Sequence, residues 1–215
     1  MTRTAICTVV CLLFISDQAL SLDKSPSPVD PEILKDPKPE HLPTLIGALN
    51  GCGCSPKRSD VGDALAQIGK PSVAPLIKRL NSTTKWWIQL ECVHILALIG
   101  PEAEDAADEV EAWMTSGRRH GLPKSYAVLA VAAMRSDTKV LVESLAGSGS
   151  RPRFVTELFA RFDDLAKQAE PELKKLAAGD SRVARYASEA LEAIEKARAA
   201  KKSKSQKVAA SSQAR

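Results

Sequence analysis

The side chains that could do chemistry are few and loosely grouped. Cys52-Gly53-Cys54 is the tightest cluster, set in a Gly-, Ser- and Pro-containing stretch that reads as a loop. Two thiolates one residue apart could hold a metal, but a structural zinc needs four ligands. The only histidines, His41, His94 and His120, stand at no ligand spacing from the loop. The other use for these thiols is a disulfide. If the first residues are removed on export, Cys7 and Cys11 go with them, and Cys52, Cys54 and Cys92 remain. An odd number in an oxidising compartment is met most simply by one bridge and one free thiol. A bridge to Cys92 requires Cα atoms within about 7 Å, and the pairing among the three stays open. Glu91 and His94 share a helix face and could act as an acid–base pair. Ile88, Cys92 and Ile95 make that neighbourhood core-like, which favours a structural histidine. No Gly-x-Ser-x-Gly elbow, His-Glu-x-x-His, calcium loop or glycine-rich fingerprint occurs. Gly62 to Lys70 lacks the spacing of a phosphate loop, and Pro71 stands where its Ser or Thr should be. The inventory predicts a non-enzyme without metal or cofactor.

Surfaces that could bind are easier to find. Between Lys85 and Arg118 lie seven acids and neither Lys nor Arg: Glu91, Glu102, Glu104, Asp105, Asp108, Glu109 and Glu111. Six of these fall on one helix expected to start after Pro101. Acids near a helix N-terminus complement its dipole, and a solvated face needs no other use. On the inner side of a curved helical stack, Glu102, Asp105, Asp108 and Glu109 would instead form a negative ridge suited to a basic protein partner. Trp86-Trp87 opens the same unit. A helix cannot turn both indoles to the core, so Trp86 is expected at the surface, where it could anchor a partner. At the other end, residues 196–215 hold seven cations and no acid. There Lys201, Lys202, Lys204 and Lys207 could attach the chain to an anionic polymer, lipid or nucleic acid. Arg118-Arg119-His120 and Arg151-Pro152-Arg153 read as solvated basic turns.

The elements that must carry these residues are helices. Ala and Leu make up a quarter of the 215 residues, while Phe, Trp and Tyr reach only 4%. Ala and Leu favour helix, and the shortage of aromatics argues against a sandwich or barrel. Helical periodicity runs from about residue 42 to 196. Val61, Ala64, Leu65 and Ile68 line one face, and Gly69 and Pro71 end it. Val73, Leu76, Ile77 and Leu80 line the next helix. Trp87, Ile88, Cys92, Ile95, Leu96 and Ile99 then repeat the first stripe, and Gly100-Pro101 repeats the break 31 residues after Gly69. The same shift carries Ile46 and Leu49-Asn50 onto Ile77 and Leu80-Asn81. Val183, Ala187, Ala190, Leu191 and Ile194 match the stripe again, 95 residues after Ile88 to Ile99. Stretches around 126–145 and 154–176 keep the stripe but lose the Ile-Gly break. A fixed period of two helices per unit is the mark of a solenoid.

These recurring residues resemble HEAT repeats, in the short bacterial form also seen in phycobilisome-lyase-like proteins. Val183-Ala-Arg185, Ala187, Ala190-Leu191 and Ile194 fit the first helix of that pattern. Ala64-Leu65, Ile68-Gly69 and Val73-Ala74-Pro75-Leu76 fit its first helix, break and second helix. The resemblance covers about 155 residues and implies an all-α fold, an α-solenoid of about five helix pairs. It implies little about function. Some of those relatives handle bilins, but no reactive site here supports carrying that over.

The ends differ from the middle. Arg3, the apolar run Ala5 to Ile15 and the small residues Ala19 and Ser21 read as a signal peptide over 1–21. Six prolines between residues 22 and 43 make 22–41 a linker, with a helical turn near Pro31 to Leu34. The solenoid is expected over 42–196, and a disordered basic tail over 197–215. The net charge of +4 hides this division, because residues 196–215 hold seven cations and no acid and the rest of the chain is slightly acidic. The expected protein is exported, periplasmic or secreted, with no membrane span in its mature form. Its expected role is a non-enzymatic protein-binding or scaffold module. The alternatives are docking on an anionic surface through the tail, and service as an accessory subunit of an enzyme.

Overall fold

The computed structural model describes residues 29–49, 60–116, 124–146 and 152–213, the last with side chains through Gln206. Among the described residues the regular elements are helices, with no strand. In chain order they are α1 Pro31–Lys35, α2 Leu42–Ala48, α3 Asp60–Ile68, α4 Val73–Ser82, α5 Trp86–Ile99, α6 Ala107–Thr115, α7 Lys124–Met134, α8 Thr138–Glu143, α9 Pro152–Arg161, α10 Asp163–Ala177 and α11 Arg182–Gln213. The expected signal peptide, Cys52 and Cys54, and Arg118-Arg119-His120 lie outside these residues.

The helices pack as pairs, and successive pairs pack on one another. α3 touches α5, and α5 touches α7; on the other layer α2 touches α4, and α8 touches α10. The breaks that define the period share one backbone conformation. Gly69 has φ 74° and ψ −135°, and Gly100 has φ 67° and ψ −133°. Both close the preceding helix by donating N–H to a carbonyl four residues back, Leu65 and Leu96. Positive φ suits glycine, and a second constraint acts at each site. A Cβ on Gly69 would lie 2.7 Å from Glu102 Oε2, and one on Gly100 would lie 2.3 Å from the Phe162 ring. Each break is a socket for a later segment.

The middle of the molecule departs from simple stripes. α5 buries Ile88, Gln89, Cys92, Val93 and the run Ile95 to Ile99, and α7 buries Leu129 to Met134. A helix that is apolar nearly all round is enclosed. α5 is wrapped by α3, α4, α7 and α9. The contact with α9 is not a nearest-neighbour one. Phe154 sets its ring edge on His94 at 4.8 Å, and Arg161 donates to the Ala66 carbonyl at 3.1 Å across 95 residues of sequence. That carbonyl belongs to the last turn of α3, which has no intrahelical partner for it. The C-terminal half thus folds back over the first units.

Three segments differ from expectation. Part of the proline-rich linker is packed: Asp30 caps α1 by accepting from Glu32 N–H at 2.9 Å, and Val29, Ile33 and Leu34 lie on the core. The helical turn expected there is present. The acidic helix opens as a 3-10 turn over Gly100–Ala106 before α6. The tail expected to be disordered is helical as far as Gln213, because α11 runs on without a break. Starting a helix is costly, but extending a packed one is not. Ala, Lys and Gln extend it well, and the segment holds no Gly or Pro.

Candidate binding surfaces

Trp86 begins α5 and is the exposed large hydrophobic residue of the described chain, 40 % exposed. Trp87 meets it edge-on with centroids 6.0 Å apart, packs against the core, and carries Lys85 Nζ over its ring at 5.9 Å. The division of the two indoles follows from the helix: consecutive residues point about 100° apart, so one turns outward.

The ridge acids follow the end of α5, from Glu102 on. They are largely paired. Residues three apart align along a 3-10 helix, and this brings Glu102 and Asp105 together over the first break. Glu102 Oε2 accepts from Lys70 N–H at 3.3 Å, and Asp105 pairs with Lys70 Nζ at 3.0 Å. Arg135, from the turn after α7, bonds Asp108 at 2.5 Å and Glu111 at 2.8 Å. The carboxylates hold its guanidinium in the charged form, Glu111 most strongly. Glu109 and Glu104 are exposed and form no ion pair with the described residues. The ridge is thus mainly a set of contacts between units, which sequence spacing alone did not reveal.

The cations of α11 divide as well. Arg198 pairs with Asp163 at 2.6 Å and also with Glu170, tying α11 to α10. Lys167 lies 2.8 Å from the same Asp163. Hydrogen bonds from Lys167 and then Arg198 pull the Asp163 carboxyl from 3.8 down to about 2. Lys201 Nζ donates to the Arg161 carbonyl at 3.3 Å. Beyond these ties Lys202 and Lys204 are exposed, and Lys207 lies on the helical backbone with its side chain outside the described region.

Other candidates sit in the interior. Cys92 is a free, fully buried thiol, and burial pushes it up to about 12. His94 is half-buried, with Nε2 3.7 Å from Glu157. Among the described residues, no three His, Cys, Asp or Glu converge as metal ligands, and no helix is long and apolar enough to cross a membrane. A feature missed in the sequence is a groove of about 530 Å³ between α2 and α4, with Lys78 and Arg79 on its wall. The repeat places only Ile46 and Leu49-Asn50 in register with Ile77 and Leu80-Asn81, which says nothing of the open side of α2.

No family model matches the chain, and neither a curated protein nor a solved structure does so.

Proposed function

We propose that the chain is an exported, non-enzymatic scaffold, an α-solenoid of HEAT-like helix pairs that binds a protein partner. The observation that carries this reading is the matched pair of breaks at Gly69 and Gly100, with the helix pairs that stack across them. Stacked pairs of this kind make extended surfaces rather than enclosed clefts. Trp86 is the anchor we assign to that surface, since a half-exposed indole can bury a large apolar area in a partner. The expectation of a basic partner for the acidic ridge weakens, because Lys70 and Arg135 already meet four of its acids. Affinity capture from cell-envelope fractions, with wild type and Trp86→Ala, tests the reading. One partner retained by wild type and lost by the variant is expected. Equal recovery by both, or no partner at any salt, counts against it.

A second reading is favoured by the continuation of α11. Lys202 and Lys204 stand exposed on it, and no acid follows Glu195, so the helix docks on an anionic polymer, lipid or nucleic acid in this reading, with affinity falling steeply as salt rises. Deleting residues 202–215 leaves Arg198 and Lys201 in place and isolates the contribution of the free cations. Binding to heparin and to anionic vesicles should then be lost. Unchanged binding rejects this reading without touching the first. An accessory role beside an enzyme has no observation in its favour.

A further inference from the structure

The groove between α2 and α4 is polarised along its length. Leu42, Pro43 and Ile46 form one apolar wall, with Ala74 and Pro75 from the first turn of α4 opposite. Lys78 and Arg79 line the groove one turn further along α4, because residues four apart share a helix side. Neither α2 nor α4 contains an acid. Lys70, Arg135 and Arg198 each meet carboxylates, whereas no carboxylate of the described residues pairs with Lys78 or Arg79. Among the described residues the Nε of Arg79 is buried without an acceptor. Its guanidinium and the exposed Lys78 ammonium place uncompensated positive charge at this end of the groove, which favours an anion there. The volume of about 530 Å³ falls within the range of small-molecule sites.

We propose that this groove binds a free long-chain carboxylate, with the head group at Lys78 and Arg79 and the alkyl chain along Leu42, Ile46, Ala74 and Pro75. The apolar half fits the chain, the unpaired cations fit the head, and the order of the two along α4 sets the direction of the ligand. The inference is independent of the scaffold reading, so failure to capture a protein partner leaves it standing. The test is a fluorescence titration of the full chain with dansylaminoundecanoate, followed by displacement with dodecanoate or dodecanol. Dodecanoate should displace the probe, and dodecanol should be weaker by about tenfold or more, the worth of one charge-assisted hydrogen bond. Lys78→Gln with Arg79→Gln should weaken the probe by a similar factor. Ala74→Phe, at an exposed position, should fill the groove and abolish binding with the melting temperature unchanged. Should the double variant fail to fold, Lys78→Glu alone must still weaken binding, since Lys78 is exposed. Absence of probe binding, equal displacement by acid and alcohol, or full binding by Lys78→Glu overturns the proposal. So does a dimer in sedimentation that Ala74→Phe dissociates, which would assign the groove to a second copy.

Discussion

At the residue scale, the two glycine breaks share a conformation but differ in what fills them. Glu102 at Gly69 is the far end of a flexible side chain and can swing away. Phe162 at Gly100 is a rigid ring with its own contacts. Gly69→Ala should therefore cost about 1–3 kcal/mol, chiefly backbone strain. Gly100→Ala should cost more, about 3 kcal/mol or above, because overpacking adds to the strain. Urea denaturation of both variants checks the order, and equal losses would contradict the distinction. Cys92 supports a second prediction. A thiol pushed up to about 12 by burial carries almost no thiolate at pH 8. Mass-mapped alkylation should leave Cys92 unmodified in the native protein and modify it fully in denaturant. Rapid native labelling would show the helix packing around it to be wrong. The glycines and the exposure of Trp86 were legible in the sequence, since both follow from local geometry. The partners Glu102 and Phe162 were not, because nothing local links residue 69 to 102 or 100 to 162.

At the element scale, α11 shows where composition misleads. Residues 197–215 have no apolar stripe, and from that the tail reads as disordered. A stripe is needed to start and dock a helix, but not to prolong one already docked through Ala187, Ala190 and Ile194. The docking is completed by Arg198 on Asp163 and Glu170, and its pH dependence has a definite sign. The Asp163 carboxyl is lowered from 3.8 to about 2 in the folded chain. Its contribution is fully present above the unfolded value and is lost as pH falls through the folded one. The melting-temperature gap between wild type and Asp163→Asn should be largest above pH 4 and should close towards pH 2. A gap that stays constant over that interval would exclude Asp163 as the source. The acidic 3-10 turn was half legible. Its charge was plain, but its cations Lys70 and Arg135 come from other units.

At the scale of the whole molecule, the fold-back of α9 decides how the units cooperate. In a strict nearest-neighbour stack, terminal units can open while the rest stays folded. Arg161 on the Ala66 carbonyl, and Phe162 at Gly100, couple the ends instead. The chain should unfold in urea as one transition, with tryptophan fluorescence from Trp86, Trp87 and Trp113 coinciding with far-ultraviolet circular dichroism. Arg161→Ala should lower stability by about 1–3 kcal/mol by orphaning that carbonyl, and it should separate the two signals. Coincident curves in the variant would mean that the coupling lies elsewhere. The sequence by itself determined the helices, their period of 31 and the glycine breaks, because helix periodicity and positive φ are properties of neighbouring residues. Only the tertiary structure decided that α9 turns back, that the acidic ridge is an inter-unit clasp and that α2 and α4 leave a cationic groove. Those outcomes depend on which side chains meet across tens of residues, and the order of residues along the chain does not encode such meetings locally.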